Sequence, residues 1–449
     1  MLSLGQAAAA LNAERQGADV AFTGVTTDSR AIKPGDLFVA LRGERFDGHE
    51  FVTQALAQGA VAAMVDTVSP DWKGLPLLRV ADTRLGLGAL AASWRGRFAV
   101  PVVAVTGSNG KTTVKEMIAA ILRAECGAAE TVLVTRGNLN NDIGMPLTLL
   151  GLRDSHRFAV IEMGMNHPGE IAVLTALARP DVALINNAQA AHLAGLGTVR
   201  EVALAKGEIF QGLKPEGIAV INADDGHAGL WRELAGKRRV VTFGLAQSAD
   251  VSADCQMGPF GSELAVRTPT GRFQVALQLP GAHNVRNALA ATAAAVALGI
   301  GNAAIAAGLA GFTGVSGRLQ RKPALHGAAL IDDTYNANPD SVAAAIAVLA
   351  SVPGRKVLVL GDMGELGEGA AELHGRIGQQ AKEAGIDALL ALGDLSRHAA
   401  GQFGTGGCHF EYIEDLLADL ENRLGPEVTV LVKGSRFMKM ERVVKSFAL

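Results

Sequence analysis

The stretch Val102-Val-Ala-Val-Thr-Gly-Ser-Asn-Gly-Lys-Thr-Thr113 constrains the fold of this chain more than any other. Consecutive apolar residues rich in valine read as a buried strand, two glycines break the strand, and VKEMIAAIL continues with helical character. A strand that turns through glycines into a helix aims backbone N–H groups and the positive helix end at one spot, where phosphate oxygens fit. Lys111 then reaches the outer phosphates of a nucleoside triphosphate, and the Thr112 hydroxyl is placed to ligate Mg²⁺. Gly107, Ser108, Asn109, Gly110, Lys111, Thr112 and Thr113 are therefore the candidate phosphate-binding residues. Val105 stands where a loop of the form GxxxxGK[ST] carries its first glycine, so the pattern alone admits several nucleotide-using families.

Such a loop belongs in a parallel α/β sheet. From about residue 98 onward VPVVAVT, FAVIEMG, DVALINN and GIAVINADD are each followed by a helix-compatible segment, the pattern of buried parallel strands flanked by helices. Between Val240 and Leu279 the spacing shortens to VVTFG, ELAVRT and FQVALQL, a β excursion within that unit. Alternation restarts with ALIDD, KVLVLGD, ALLALGD and VTVLVKG, which predicts a second doubly wound sheet. Ahead of the loop, DLFVAL, AVAAMV and LPLLRV with turns at KPGD and FDGH predict a small α/β unit. At about 150 residues per domain, 449 residues divide into about three. The expected fold class is α/β, with a small α/β N-terminal domain over 1–84, a central P-loop ATPase domain with a mainly parallel sheet over 85–314, and a Rossmann-like doubly wound C-terminal domain over 315–449.

Composition removes several alternatives. A charged fraction of 19% with a net charge of −3 indicates neither disorder nor a broad basic nucleic-acid surface. Cys126, Cys255 and Cys408 lie far apart with no CxxC pairing, which argues against disulfides and thiolate zinc sites and for a reducing compartment. The N-terminal MLSLGQAAAALNAER lacks the basic start of a signal peptide, so a cytoplasmic protein is expected. Ala288 to Phe312 carries no charge and is long enough on paper to span a bilayer, which needs about 20 apolar residues. It is built from Ala and Gly and interrupted by Gly299, Gly301 and Asn302, so two buried helices joined by a turn are predicted, and no membrane span.

A P-loop needs a carboxylate near its metal, and Glu162 closes the strand FAVIE at a suitable place, although a solvated strand-end Glu reads the same way. His192 follows the next strand and reaches the same region or is structural. Lys206, on a helical stretch, reads as an ordinary surface cation. Asn284 and Asn287, entering an Ala-rich helix, present amides to a purine edge, while helix capping explains Asn284 almost as well. Arg318 and the Asp332-Asp333 pair flank the start of the last unit, where a cation suits phosphate and a carboxylate suits ribose.

The segments TGSNGKTT, TRGNLNNDIGMPLTLL, EMGMNHPGEI, GAHNVRNAL, DDTYNANPDS, LGDMGELG and VKGSRFMKMERVV occur in this order. On them the chain, from about Thr26 to Val444, resembles the Mur ligase family, in the branch that adds D-alanyl-D-alanine to a UDP-linked peptide. The resemblance implies an ATP- and Mg²⁺-dependent ligase working through an acyl phosphate, with UDP-N-acetylmuramoyl-tripeptide and D-alanyl-D-alanine as partners, no nucleic acid, and a monomeric state. It further implies that Thr27, Asp28, Ser29 and Arg30, with Phe46, Asp47, Gly48 and His49, form the UDP-sugar pocket. Thr112, Glu162 and His192 would lie near magnesium, and Asn138 near the γ-phosphate. Lys206 would be carried as a carbamate, which turns a cation into a metal-binding anion. Asn284, Asn287, Arg318 and Asp332 would face the nucleotide, and Tyr335, Asn336, Asn338 and Ser341 the dipeptide. A related ligase that adds a diamino acid carries a DNPR-type sequence where this chain has Asn338-Pro-Asp-Ser341. The rivals are another Mur ligase or a folylpolyglutamate synthase within the class, and a P-loop regulatory switch outside it; the chain has no [NT]KxD guanine-reading motif.

Overall fold

The computed structural model describes residues 1–44, 46–190 and 193–449, so that His192 lies outside the described residues. Three sheets of five or six strands follow one another along the chain. The first contains Glu14–Gln16, Gly24–Thr26, Asp36–Val39, Ala62–Val65 and Leu77–Arg79, with the last four parallel and Glu14–Gln16 an antiparallel edge.

The second sheet is wholly parallel. Its order across the sheet is Arg239–Phe243, Ile218–Asn222, Val182–Ile185, Val102–Thr106, Phe158–Glu162, Val132–Val134. The chain leaves Val102–Thr106 first toward one edge and later returns to build toward the other, which makes the end of this strand the topological switch point where parallel α/β sheets bind ligands. Both faces are covered, and the pleat sorts the side chains between them. Val102, Ala104, Ala159, Ile161, Ala183 and Ile185 enter a core shared with the N-terminal unit, whereas Val103, Val105, Val160, Val182 and Leu184 enter one beneath the helices Lys111–Cys126 and Ala282–Ala297. Each Val, Ile or Leu among them, removed from water, contributes about 1.5–3 kcal/mol. That double burial explains why these strands read as continuous apolar runs.

The β excursion differs from expectation in its first strand. VVTFG pairs parallel with Ile218–Asn222 and belongs to the main sheet; the separate antiparallel sheet is Ser252–Met257, Ser262–Thr268 and Gly271–Leu277. Ser252–Met257 is polar and largely uncovered, so it lacks the apolar signature that marks the others. The charge-free stretch near residue 300 forms two helices, Ala282–Ala297 and Asn302–Ala310, and among the described residues no helix is long and apolar enough to cross a membrane.

The third sheet runs Gln320–Pro323, Ala329–Asp333, Val428–Lys433, Arg355–Gly361, Ala388–Leu392, Gly407–Phe410, parallel except for the first strand. Leu358, Leu360 and Leu431 pack on one face and Val357, Val359, Val430 and Val432 on the other.

Candidate active site

The helix Lys111–Cys126 starts after Gly110, whose φ of 78° suits glycine. A Cβ on Gly110 would stand 2.5 Å from Asn287 Oδ1 and 2.6 Å from Asn186 Nδ2, so any side chain there would break the seat of the loop. Lys111 Nζ donates to the carbonyls of Gly107 (2.6 Å) and Ser108 (3.2 Å). Burial pushes its ammonium below the usual lysine range; Glu162 opposes that shift and Arg318 adds to it.

Two neighbouring strand ends complete the loop's surroundings. Glu162 is almost fully buried at the end of Phe158–Glu162. Its Oε2 accepts from Thr112 Oγ1 at 2.8 Å and its Oε1 from Asn140 Nδ2 at 2.7 Å. Asn186, just past Val182–Ile185, donates to Asn109 O at 2.9 Å and to Asn287 Oδ1 at 2.9 Å. The third sheet reaches the same place: Arg318 Nη2 donates to Thr112 Oγ1 at 2.9 Å, and Asn338 Nδ2 donates to Asn109 Oδ1 at 2.8 Å. These contacts line a cavity of about 1220 Å³ between the carboxyl ends of two parallel sheets, with Lys111 and Thr112 on one side and Arg318, Asp333, Tyr335, Lys433 and Arg436 on the other.

The cavity brings together Ser108 through Thr113, Asn138, Glu162, Asn284, Asn287, Arg318, Tyr335, Asn336, Asn338 and Ser341. Asn284 donates to Pro280 O at 2.9 Å and is not the helix cap, a position held by Gly281. Asp332 does not line the cavity. Its carboxylate is taken by Lys322 (2.8 Å) and Thr334 (2.7 Å), and the neighbouring Asp333 faces the cavity instead, because successive strand residues point to opposite faces. Asn338 and Ser341 form a capping box at the start of Pro339–Ser351, which accounts for both residue types at that spacing. Lys206 is 1% exposed rather than a surface cation. Burial, and then the charge of Lys111, drive its pKa well below the usual lysine range.

The eight N-terminal residues lie elsewhere. Thr27 to Arg30 follow Gly24–Thr26, and Phe46 to His49 lie a few residues beyond the adjacent parallel strand Asp36–Val39, so both loops emerge at one end of the first sheet, outside the cavity lining. Arg30 holds Asp28 with two bonds of 2.9 Å and lowers its carboxyl to about 2. His49 Nδ1 lies 2.6 Å from Asp47 Oδ1, while Phe46 is exposed.

Several polar side chains around the loop carried no signal of their own. Lys115 is fully buried one helical turn beyond Lys111, donating to Thr135 O (2.5 Å) with Glu162 Oε2 at 4.0 Å. Asn140 and Lys433 sit inside motif segments but lacked assigned roles; a helical spacing of four from Lys111 would have found Lys115.

A phosphate loop at a switch point, faced by a second Rossmann-like sheet, defines a multidomain P-loop protein of the α/β class. Models of the Mur ligase family match its three parts: the catalytic domain model at residues 21–94, the middle domain at 105–295 and the glutamate ligase domain at 317–436. The UDP-N-acetylmuramoyl-tripeptide–D-alanyl-D-alanine ligase of Escherichia coli K12 is 47% identical over 99% of this chain and 98% of its own. A crystal structure of MurF from Acinetobacter baumannii superposes with a TM-score of 0.92 at 38% identity, covering 99% of this chain and 98% of the other. MurF ligase of Thermotoga maritima, solved in complex with ADP, gives 0.83 at 29% identity over 94% and 96%. The chain belongs to the Mur ligase family.

Proposed function

We propose that this protein is an ATP-dependent amide-bond ligase that adds D-alanyl-D-alanine to UDP-N-acetylmuramoyl-tripeptide in peptidoglycan precursor synthesis, acting in the cytoplasm where ATP and the UDP-linked precursor are available. The observation that carries this reading is the contact of Arg318 with Thr112 at 2.9 Å: a cation just ahead of the third sheet closes on the phosphate loop of the second. The buried Nε of the same guanidinium has no partner among the described residues, so it is ready for an anion such as a phosphate oxygen.

In the reaction a terminal carboxylate oxygen of the tripeptide attacks the γ-phosphorus of ATP, the bond to the departing ADP breaks, and an acyl phosphate forms. The amine of D-alanyl-D-alanine then attacks the activated carbonyl, losing a proton as phosphate leaves. Two anions must meet in the first step, and Lys111 and Arg318 offset their repulsion from opposite sides of the cavity. Asn138, exposed on the loop before Asn140, is assigned to the γ-phosphate, and Asn284 and Asn287 to the nucleotide side. Water would destroy the intermediate, and the bond from Asn338 to Asn109 holds the C-terminal unit against the phosphate loop, which limits its access.

Thr112 and Glu162 present hard oxygen donors 2.8 Å apart beside the phosphate loop, which fits Mg²⁺, an ion that usually takes one or two protein oxygens and completes its shell with phosphates and water. When bound, Mg²⁺ supplies charge neutralisation between the phosphate oxygens. His192 is assigned to the same ion by family resemblance alone. The burial of Lys206 supports a carbamate: a neutral amine adds CO₂ and releases a proton, leaving an anion for the metal side of the site. The assignments of 1–84 to the UDP-sugar, with Thr27 to Arg30 and Phe46 to His49 in its pocket, of 85–314 to ATP and of 315–449 to the dipeptide, with Tyr335 and Asn336 facing it, complete this reading.

Incubation with ATP, D-alanyl-D-alanine and the tripeptide, in its lysine and diaminopimelate forms, tests it by mass spectrometry. A product equal to the two peptides less one water, with one ADP per product, is expected. ADP formation without that product would overturn it.

A further inference from the structure

D-alanyl-D-alanine carries a carboxylate that does not react, yet none of Tyr335, Asn336, Asn338 and Ser341 is positively charged, and Asn338-Pro-Asp-Ser341 stands in place of an arginine motif. Asn338 and Ser341 are also engaged with each other and with Asn109. The anchor for that carboxylate must come from another part of the cavity wall. Lys433 is committed, since its buried Nζ donates to Asp333 Oδ2 at 2.6 Å and Asn336 O at 2.9 Å.

Two arginines remain on the ring of Tyr335. Arg318 lies over it at 4.2 Å and faces the phosphate loop through Thr112. Arg436 lies 6.0 Å from the same ring, with its side chain 66% exposed, and spends one nitrogen on Glu441 Oε1 at 3.3 Å, which steadies the guanidinium while leaving most of its five-donor fork open. The two guanidiniums therefore lie no more than roughly 10 Å apart, and an extended dipeptide spans about 7 Å, so one end can reach the phosphate side while the other meets Arg436. Phe437, exposed beside Arg436, offers an apolar surface for the alanine methyl groups.

The geometry points to Arg436 as the residue that binds the terminal carboxylate of the amine substrate, with Tyr335 holding it apart from Arg318. This rests on the ligase reading above. A bidentate guanidinium–carboxylate contact selects acids over neutral analogues, because a substrate without the charge leaves the fork unmatched.

The test compares D-alanyl-D-alanine with its C-terminal amide, in wild type, Arg436→Ala and Arg436→Lys. Wild type is expected to favour the acid by about 10- to 100-fold in kcat/KM, the range for a charged hydrogen-bonded contact. Arg436→Ala is expected to lose that preference by losing activity on the acid, with KM for ATP within about twofold and ADP binding by calorimetry unchanged, while Arg436→Lys keeps part of it. A merely structural role would not abolish discrimination between acid and amide. Intact preference in Arg436→Ala, or equal use of both amines by wild type, overturns the anchor and leaves the ligase reading standing. A wild type that ligates neither amine overturns the ligase reading, and the anchor with it.

Discussion

The surroundings of Lys111 and those of Arg30 are built on opposite plans. At the phosphate loop Lys111 bonds locally to Gly107 and Ser108, but the side chains beside it are held from distant parts of the chain: Thr112 by Glu162 and Arg318, Asn109 by Gln189 and Asn338. In the N-terminal loops the carboxylates take near neighbours, Asp28 with Arg30 and Asp47 with His49; Arg30 is exposed and Asp28 and Asp47 are half-buried, while His49 is buried and also accepts at Nε2 from Asp66 N. Charge must be handled at the first site as it develops, which favours donors fixed in advance in a dry setting. The second site, on the proposed reading, only has to hold a nucleotide-sugar, for which partly exposed loop groups suffice. Substitutions at the first should therefore act on turnover, and at the second on substrate affinity.

Lys111→Ala gives the sharpest contrast. The variant should melt like wild type yet lose about 10³-fold or more in ligation, the scale for removing a charged transition-state donor, as read by ADP release with all substrates present. Normal ADP release would remove Lys111 from the chemistry. Lys206→Ala should lose about 10²-fold and regain part of it with acetate or another short carboxylate, which replaces the missing anion. Full activity before any addition would return Lys206 to a packing role.

The inner region should also respond to pH in a way that the outer one does not. Burial, with Lys433 and Arg286 nearby, lowers His283 to about 4 from the ordinary 6.5. Between those values the unfolded chain binds a proton that the folded chain refuses, so stability falls as pH drops from 6.5 to 4. The group's share is about 3 kcal/mol, and His283→Asn should flatten the slope of denaturation free energy against pH across this window. An unchanged slope would contradict the neutral imidazole. The smallest effect is expected from Arg30→Ala, with a KM for the UDP-linked tripeptide raised about tenfold at unchanged kcat and melting temperature, since exposed pairs contribute little to stability. A fall in kcat instead would blur the division between the two regions.

The same division governs what the residues disclose before folding. The phosphate loop, its strand and its helix are covalent neighbours, so their pattern is local and legible, as are the apolar runs of the two large parallel sheets. The contacts that make the loop a ligase site join Thr112 to Arg318 and Asn109 to Asn338, across 206 and 229 residues, and no local pattern carries them. Asp332 and Asp333 look equivalent in sequence, and only the pleat decides that Asp333 faces the cavity. VVTFG matches the short-strand rhythm of the excursion, yet its register with Ile218–Asn222 places it in the main sheet. Lys206 shows the limit most clearly, because its meaning lies in burial that the helix around it does not announce.

Transfer of the γ-phosphoryl group to a carboxylate is the step on which all the assigned roles converge. Tripeptide labelled with ¹⁸O in its terminal carboxylate should deliver one labelled oxygen to the inorganic phosphate released in each turnover, because the oxygen that attacks phosphorus leaves with it. Phosphate free of label, alongside normal formation of the pentapeptide product, would show that no acyl phosphate forms at this site.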